Sequence, residues 1–343
     1  MKKKWRLLGS LTPLAFLAWR LDWGRMAAAF ARLDLGLWLA ALLVYLLTQV
    51  VSAVRWQALA RLVGFDGGWG RYLAYCYIGM LFNLVLPTSV GGDVVRAWYL
   101  ANQQGAAPAA GRRTAALLSV LADRVNGVLV LVALTVVAAA CCPVPLKPWI
   151  VGTVAAAAAG AAAAAACLPL APRLQRLLPG NARLQRLADG TRLYLRHRRV
   201  MAWVTLLSLV VQVANVVVVW LAGEALGLPV PPLFYGVLVP LVTLLTLLPV
   251  SVNGMGLREV GTVALLAPLG VDPASAVTLS LLVFAVFTAA SLSGLGFYLF
   301  GHFPRFQAPA AAAAGARWEV PAHDEPVGRH PDQGRTRQPP AAA

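Results

Sequence analysis

Two short stretches carry residue types that together can hold an anion. One reads Leu86-Pro87-Thr88-Ser89-Val90-Gly91-Gly92-Asp93-Val94-Val95-Arg96 and the other Leu248-Pro249-Val250-Ser251-Val252-Asn253-Gly254-Met255-Gly256-Leu257-Arg258. Both fit the pattern Leu-Pro-x-Ser-Val-x-Gly-x-x-x-Arg. Matching Leu and Val are cheap in an apolar chain, whereas Pro, Ser, Gly and Arg in register are not. Proline lacks a backbone donor and ends the helix that precedes it. Ser89 and Ser251 suit the cap of the helix that follows. Glycine lets the backbone turn and lets a ligand approach closely. A helix start offers free N–H groups and a partial positive charge, which favour a phosphate. Arg96 lies one turn after Gly92, and Arg258 one turn after Gly254, so each guanidinium can join its helix start in a forked grip. The candidate lipid- or anion-binding set is therefore Ser89, Gly91, Gly92, Arg96, Ser251, Asn253, Gly254 and Arg258. The plainer reading is two broken helices whose arginines reach toward headgroups.

The elements that carry these motifs are apolar. The chain has 343 residues, of which 59% are hydrophobic and 12% charged, against about 25% charged in a soluble domain. Its mean hydropathy is +0.71. The apolar residues fall in blocks of about 17 to 27, the length of a helix that crosses roughly 30 Å of hydrocarbon. Crossing strands would be about 10 residues long and alternating. The expected fold is an all-α polytopic membrane protein with about 7–9 hydrophobic segments. Two of these are re-entrant or short broken-helix hairpins related as inverted repeats. The segments lie near residues 7–19, 35–54, 72–86, 114–140, 149–170, 200–226, 233–248, 256–269 and 274–300. Residues 1–303 form the transmembrane domain, and residues 304–343 a disordered Ala/Pro/Arg-rich tail.

The formal charge is +16. Most Lys and Arg stand between apolar blocks, which points to topology control. No basic, aromatic-interleaved soluble domain is present, so nucleic acid is not an expected partner. The Lys-rich start is read as an uncleaved helix, since no small-residue cleavage site is clear. Basic loops put both termini in the cytoplasm. Three crossings then separate the two motifs, which enter from opposite faces. Short Gly/Pro-interrupted segments at matching positions of inverted halves point to a transporter's binding site. The basic loop also carries Arg-Leu-Gln-Arg-Leu twice, at 173–177 and 183–187, a pattern suited to a headgroup-facing helix.

Asp93, Asp123, Arg124 and Glu259 form a second candidate set, as ion-coupling or buried polar residues. Adjacent residues do not face each other on a helix, so Asp123 and Arg124 each need a partner elsewhere. Asp93 with Arg124 and Glu259 with Arg96 are two pairings that spacing leaves open. Packing near the interface is the plain alternative for Asp123 and Arg124. Gln212 and Asn215 suit interhelical hydrogen bonding, and Asn83 and Glu224 are weaker candidates. The four cysteines have no metal-ligand spacing, and no His/Cys/carboxylate cluster or nucleotide loop is present. No catalytic residue, cofactor or metal is expected.

Residues Pro87 to Leu100, Asp123-Arg124 and Leu248 to Gly261 resemble the lysylphosphatidylglycerol synthase transmembrane family. This is the flippase-like domain found in multiple-peptide-resistance proteins. The similarity covers roughly residues 5–302. The family often has Glu-Arg where this chain has Asp123-Arg124. The resemblance implies an inner-membrane protein that moves a phospholipid or glycolipid between leaflets. Two-part members carry a soluble transferase domain where this chain has a low-complexity stretch, so translocation rather than synthesis carries over. The expected function is a lipid flippase or scramblase in the cytoplasmic membrane. A membrane-embedded enzyme or enzyme partner in polyprenyl-phosphate or glycolipid metabolism is the alternative, with a structural envelope-complex subunit as a third. The expected partners are membrane lipids with anionic headgroups. A second copy or an envelope-biosynthesis protein stays open.

Overall fold

The protein is described from a computed structural model. The described residues are 24, 30–31, 33–85, 91–103, 111–167, 190, 192–247, 254–301 and 303. They all belong to one compact unit, Met1–Arg305. The expected tail at 304–343, the first segment near 7–19 and both Arg-Leu-Gln-Arg-Leu copies lie outside the described residues.

Every element among the described residues is helical. Helix α1 spans Leu35–Leu62 and is capped by Asp34, whose Oδ1 accepts from the Leu37 N–H at 3.2 Å. It runs past Val54, where the sequence reading ended the span. Trp56, Leu59 and Ala60 are fully buried on this extension, so the helix continues because it still has a face to bury. Helices α4 (Arg112–Cys141), α5 (Pro148–Cys167), α6 (Arg198–Ala225) and α9 (Pro273–Phe300) complete, among the described residues, a set of five helices long and apolar enough to cross a membrane. Asp272 caps α9 by accepting from the N–H groups of Ala274 and Ser275, with Pro273 at the first helical position, where its missing donor costs nothing.

Between these lie two hairpins. Helix α2 (Trp69–Val85) packs on α3 (Gly91–Ala101), and α7 (Pro232–Leu247) packs on α8 (Leu257–Leu266). At 1.5 Å per residue, α3 and α8 are only about 15–17 Å long, half of what a crossing needs. Each hairpin therefore has one long arm and one half-length arm. A 3₁₀ turn at Ala267–Leu269 and Gly270 in the left-handed region lead from α8 into α9.

Close packing of backbones holds the hairpins. A Cβ on Gly92 would collide with the carbonyl oxygen of Gly79 and stand 2.7 Å from the Asn83 amide. One on Gly294 would collide with the Tyr77 carbonyl. Thus α2 lies against α3 on one side and α9 on the other through positions where only glycine fits.

Candidate functional site

The first half-length helix brings a group of charges together. Asp93, in the first turn of α3, accepts 2.8 Å hydrogen bonds from Arg124 Nε and Nη2 on α4. Asp123, one residue before Arg124, faces the other way and accepts from Arg55 Nε on α1 at 2.7 Å. Arg96 lies between the two carboxylates, its guanidinium nitrogens 3.6 Å from each. It also stacks over the Trp56 ring at 4.2 Å, a favourable cation–π geometry. Its Nε and Nη2 are buried without a hydrogen-bond partner. Three arginines thus meet two aspartates, leaving one positive charge in excess.

A chain of uncharged groups fixes this cluster. Arg55 Nη1 donates to Ser208 Oγ at 3.1 Å, and Ser208 donates to Asn126 Oδ1 at 2.5 Å. Asn126 in turn donates to Thr205 at 2.9 Å, and Gln212 to the Gly127 carbonyl at 2.9 Å. These bonds tie α4 to α6, so Gln212 has the interhelical role expected of it, while Asn215, on the same helix, donates to Gln212 at 3.4 Å.

The second half-length helix is built differently. Gly254 and Gly256 have φ of +74° and +84°, left-handed values that strain any side-chain-bearing residue. The Glu259 carboxylate reaches back to the Gly256 N–H at 2.6 Å, capping the helix start. Its other oxygen accepts from Arg258 Nη2 at 2.5 Å and Nε at 3.1 Å, and from Ser280 on α9 at 3.2 Å. Glu259 is 2% exposed. Of the two pairings the sequence left open, Asp93 with Arg124 is made. Glu259 with Arg96 is not, because Arg258 and Ser280 take up its carboxylate.

Both hairpins face a shared cavity of about 240 Å³. The first contributes Met80, Asn83 and Leu84, the second Thr246 and Arg258. Tyr45 on α1 and Phe284, Phe287, Thr288 and Ser291 on α9 close it. Asn83 Oδ1 accepts from the Gly92 N–H at 2.7 Å, so one donor of the first helix start is already taken. The Arg258 guanidinium lies 4.7 Å from the Phe284 ring centroid, and among the described residues its Nη1 makes no hydrogen bond. Thr288 Oγ1 is buried and unpartnered. The cavity therefore presents one guanidinium edge and several hydroxyl and amide groups within aromatic walls, a lining suited to a small polar group.

The family model described as the lysylphosphatidylglycerol synthase TM region matches residues 5–294. The chain belongs to this family. No curated protein and no solved structure matches it significantly. Membership of the lysylphosphatidylglycerol synthase TM region family, with the apolar helices, makes this a multi-pass membrane protein connected with lipid metabolism or translocation.

Within this family member, the expected residues divide into three groups. Gly91, Gly92, Asp93, Arg96, Asp123 and Arg124 come together at the first hairpin. Gly254, Arg258 and Glu259 form the second. Ser89, Ser251 and Asn253 lie outside the described residues. Sequence reasoning passed over Arg55 and Trp56, which it placed beyond the end of a span, and Tyr45, Thr288 and Ser291, which look like ordinary members of apolar helices. A longer second span, running past Val54, would have drawn Arg55 in as the partner that Asp123 lacked.

Proposed function

We propose that the protein translocates a phospholipid or glycolipid across the cytoplasmic membrane, with both termini in the cytoplasm. The observation that carries this reading is the cavity that both hairpins face. A volume of about 240 Å³ suits a polar headgroup, while the acyl chains would stay in the bilayer. Arg258 Nη1, Thr246, Thr288, Ser291 and Asn83 supply the polar contacts, and the phosphate is the natural partner of the guanidinium edge. The half-length helices α3 and α8 end their apolar path inside the membrane, which lets the headgroup meet polar groups there. No catalytic step is assigned. Asp93, Asp123 and Glu259 are each held by arginine, so the proposed movement runs down the lipid's own gradient rather than on a proton.

The test is flip-flop of headgroup-labelled lipid in proteoliposomes, read with a membrane-impermeant quencher. Wild type should allow quenching beyond the outer-leaflet share, and Arg258→Ala should slow it at least about tenfold, roughly 1.4 kcal/mol of barrier. Absence of flip-flop for anionic, zwitterionic and glycosylated lipids alike would defeat the reading.

A further inference from the structure

Arg124 differs from every other charge in the cluster by its exposure. Its side chain is 48% exposed, whereas those of Arg55, Asp93, Arg96 and Asp123 are between 3% and 11%. Among the described residues it is the one exposed charged side chain lying more than a turn inside a helix from either end. Arg112 and Cys141 bound α4, so Arg124 stands about 18 Å from one end and about 26 Å from the other. Leu117 and Leu121, each 51% exposed, precede it on the same helical face. Arg124 thus opens onto an exposed apolar face of a helix long and apolar enough to cross a membrane, the kind of face that borders lipid.

Such a position is costly for a guanidinium unless an anion meets it. Asp93 takes Nε and Nη2, but Asp93 also lies 3.6 Å from Arg96. The cluster keeps one positive charge in excess, and Arg124 is the member through which that excess is accessible. Its Nη1 edge makes no hydrogen bond among the described residues.

We propose that Arg124 docks the phosphate of a membrane phospholipid at the bilayer-facing side of the first hairpin, with Asp93 fixing the guanidinium so that its Nη1 edge points outward. The lipid phosphate completes the charge balance of the Arg55–Asp93–Arg96–Asp123–Arg124 group. This goes beyond translocation, because docking does not require that the lipid cross.

The test is lipid retention by the full chain in detergent, read by native mass spectrometry. Phosphatidylglycerol and diacylglycerol of identical chains are offered in equal amounts. Wild type should retain the phosphate-bearing lipid at least about tenfold over diacylglycerol, a 1.4 kcal/mol preference. Equal retention by wild type overturns the proposal without any variant. The double variant Asp93→Asn/Arg124→Gln keeps the cluster's net charge and should lose the preference, while Arg124→Lys, which keeps the charge without the fork, should retain part of it. A folded double variant that keeps the full preference also overturns it. Inorganic phosphate that displaces the lipid at equal concentration would assign the site to a free anion instead. Retention without flip-flop in liposomes would leave this docking standing and defeat translocation, and flip-flop with unselective retention would do the reverse.

Discussion

Asp93 and Arg124 meet edge to edge, with both carboxylate oxygens accepting 2.8 Å hydrogen bonds from one guanidinium. The contact ties the half-length helix α3 to the crossing helix α4. Its two sides are not equivalent, because Asp93 also neighbours Arg96 while Arg124 is half-exposed. Asp93→Ala strands Arg124 and leaves Arg96 with Asp123 alone, and should cost about 2–4 kcal/mol, whereas Arg124→Ala leaves Asp93 with Arg96 and should cost about 1–2 kcal/mol. Thermal unfolding in detergent gives the order, and a larger loss for Arg124→Ala would contradict it.

Asp123 is the shared counter-ion of Arg55 and Arg96 and is 2% exposed. Removing it leaves the buried Arg55 guanidinium without its carboxylate and Arg96 with Asp93 alone, so Asp123→Leu should destabilise by about 3–5 kcal/mol. Adding Arg55→Met should recover part of that loss. The melting temperatures of the single and double variants check this, and no recovery would mean the pair is not the main cost.

Thr288 has a hydroxyl buried beside the cavity with no hydrogen-bond partner among the described residues. A valine of the same shape removes that unsatisfied group, so Thr288→Val should be neutral or stabilise by about 0.5–1 kcal/mol. The same change should slow lipid movement, since it deletes a contact for the headgroup. Stability and flip-flop measured on one preparation should move in opposite directions. A variant that is both less stable and equally active would refute the assignment.

The repeated glycines should respond differently to alanine. Gly92→Ala forces α2 and α3 apart and should cost about 2–4 kcal/mol through overpacking. Gly79→Ala meets mainly the flexible Arg96 side chain, at 2.8 Å from its Cγ, and should cost less. Gly254→Ala suffers both its left-handed φ of +74° and the Thr246 side chain 2.7 Å away. Denaturation of the three variants in the same detergent gives the comparison.

Because each intramembrane carboxylate of the site is engaged by arginine, an imposed pH gradient of either sign should leave the flip-flop rate unchanged. Acceleration by an inward or an outward gradient would reinstate a proton carrier among Asp93, Asp123 and Glu259.

The helical membrane fold was legible because hydrocarbon thickness fixes the length of an apolar block, and the half-length arms because Pro87 and Pro249 punctuate the same pattern. Arg124 could be matched with Asp93 only as one of two options, since both hairpins pack on α4 and nothing in a linear chain records which charges each brings to it. Arg55 was missed because a charge at the end of an apolar run looks like the start of a loop. The cavity was missed because Thr288, Ser291 and Tyr45 differ little from their apolar neighbours in pattern and matter only through where α9 and α1 converge.

Where the first copy of the motif is already helical at Gly91, the second becomes helical only at Leu257, the counterpart of Val95. One repeated glycine is a surface of contact and the other a bend in the chain. A molecule whose halves have specialised in this way cannot exchange their conformations by symmetry. Any inward- and outward-facing forms it takes are two different structures, not one structure seen from both sides, and each would hold a ligand for its own length of time.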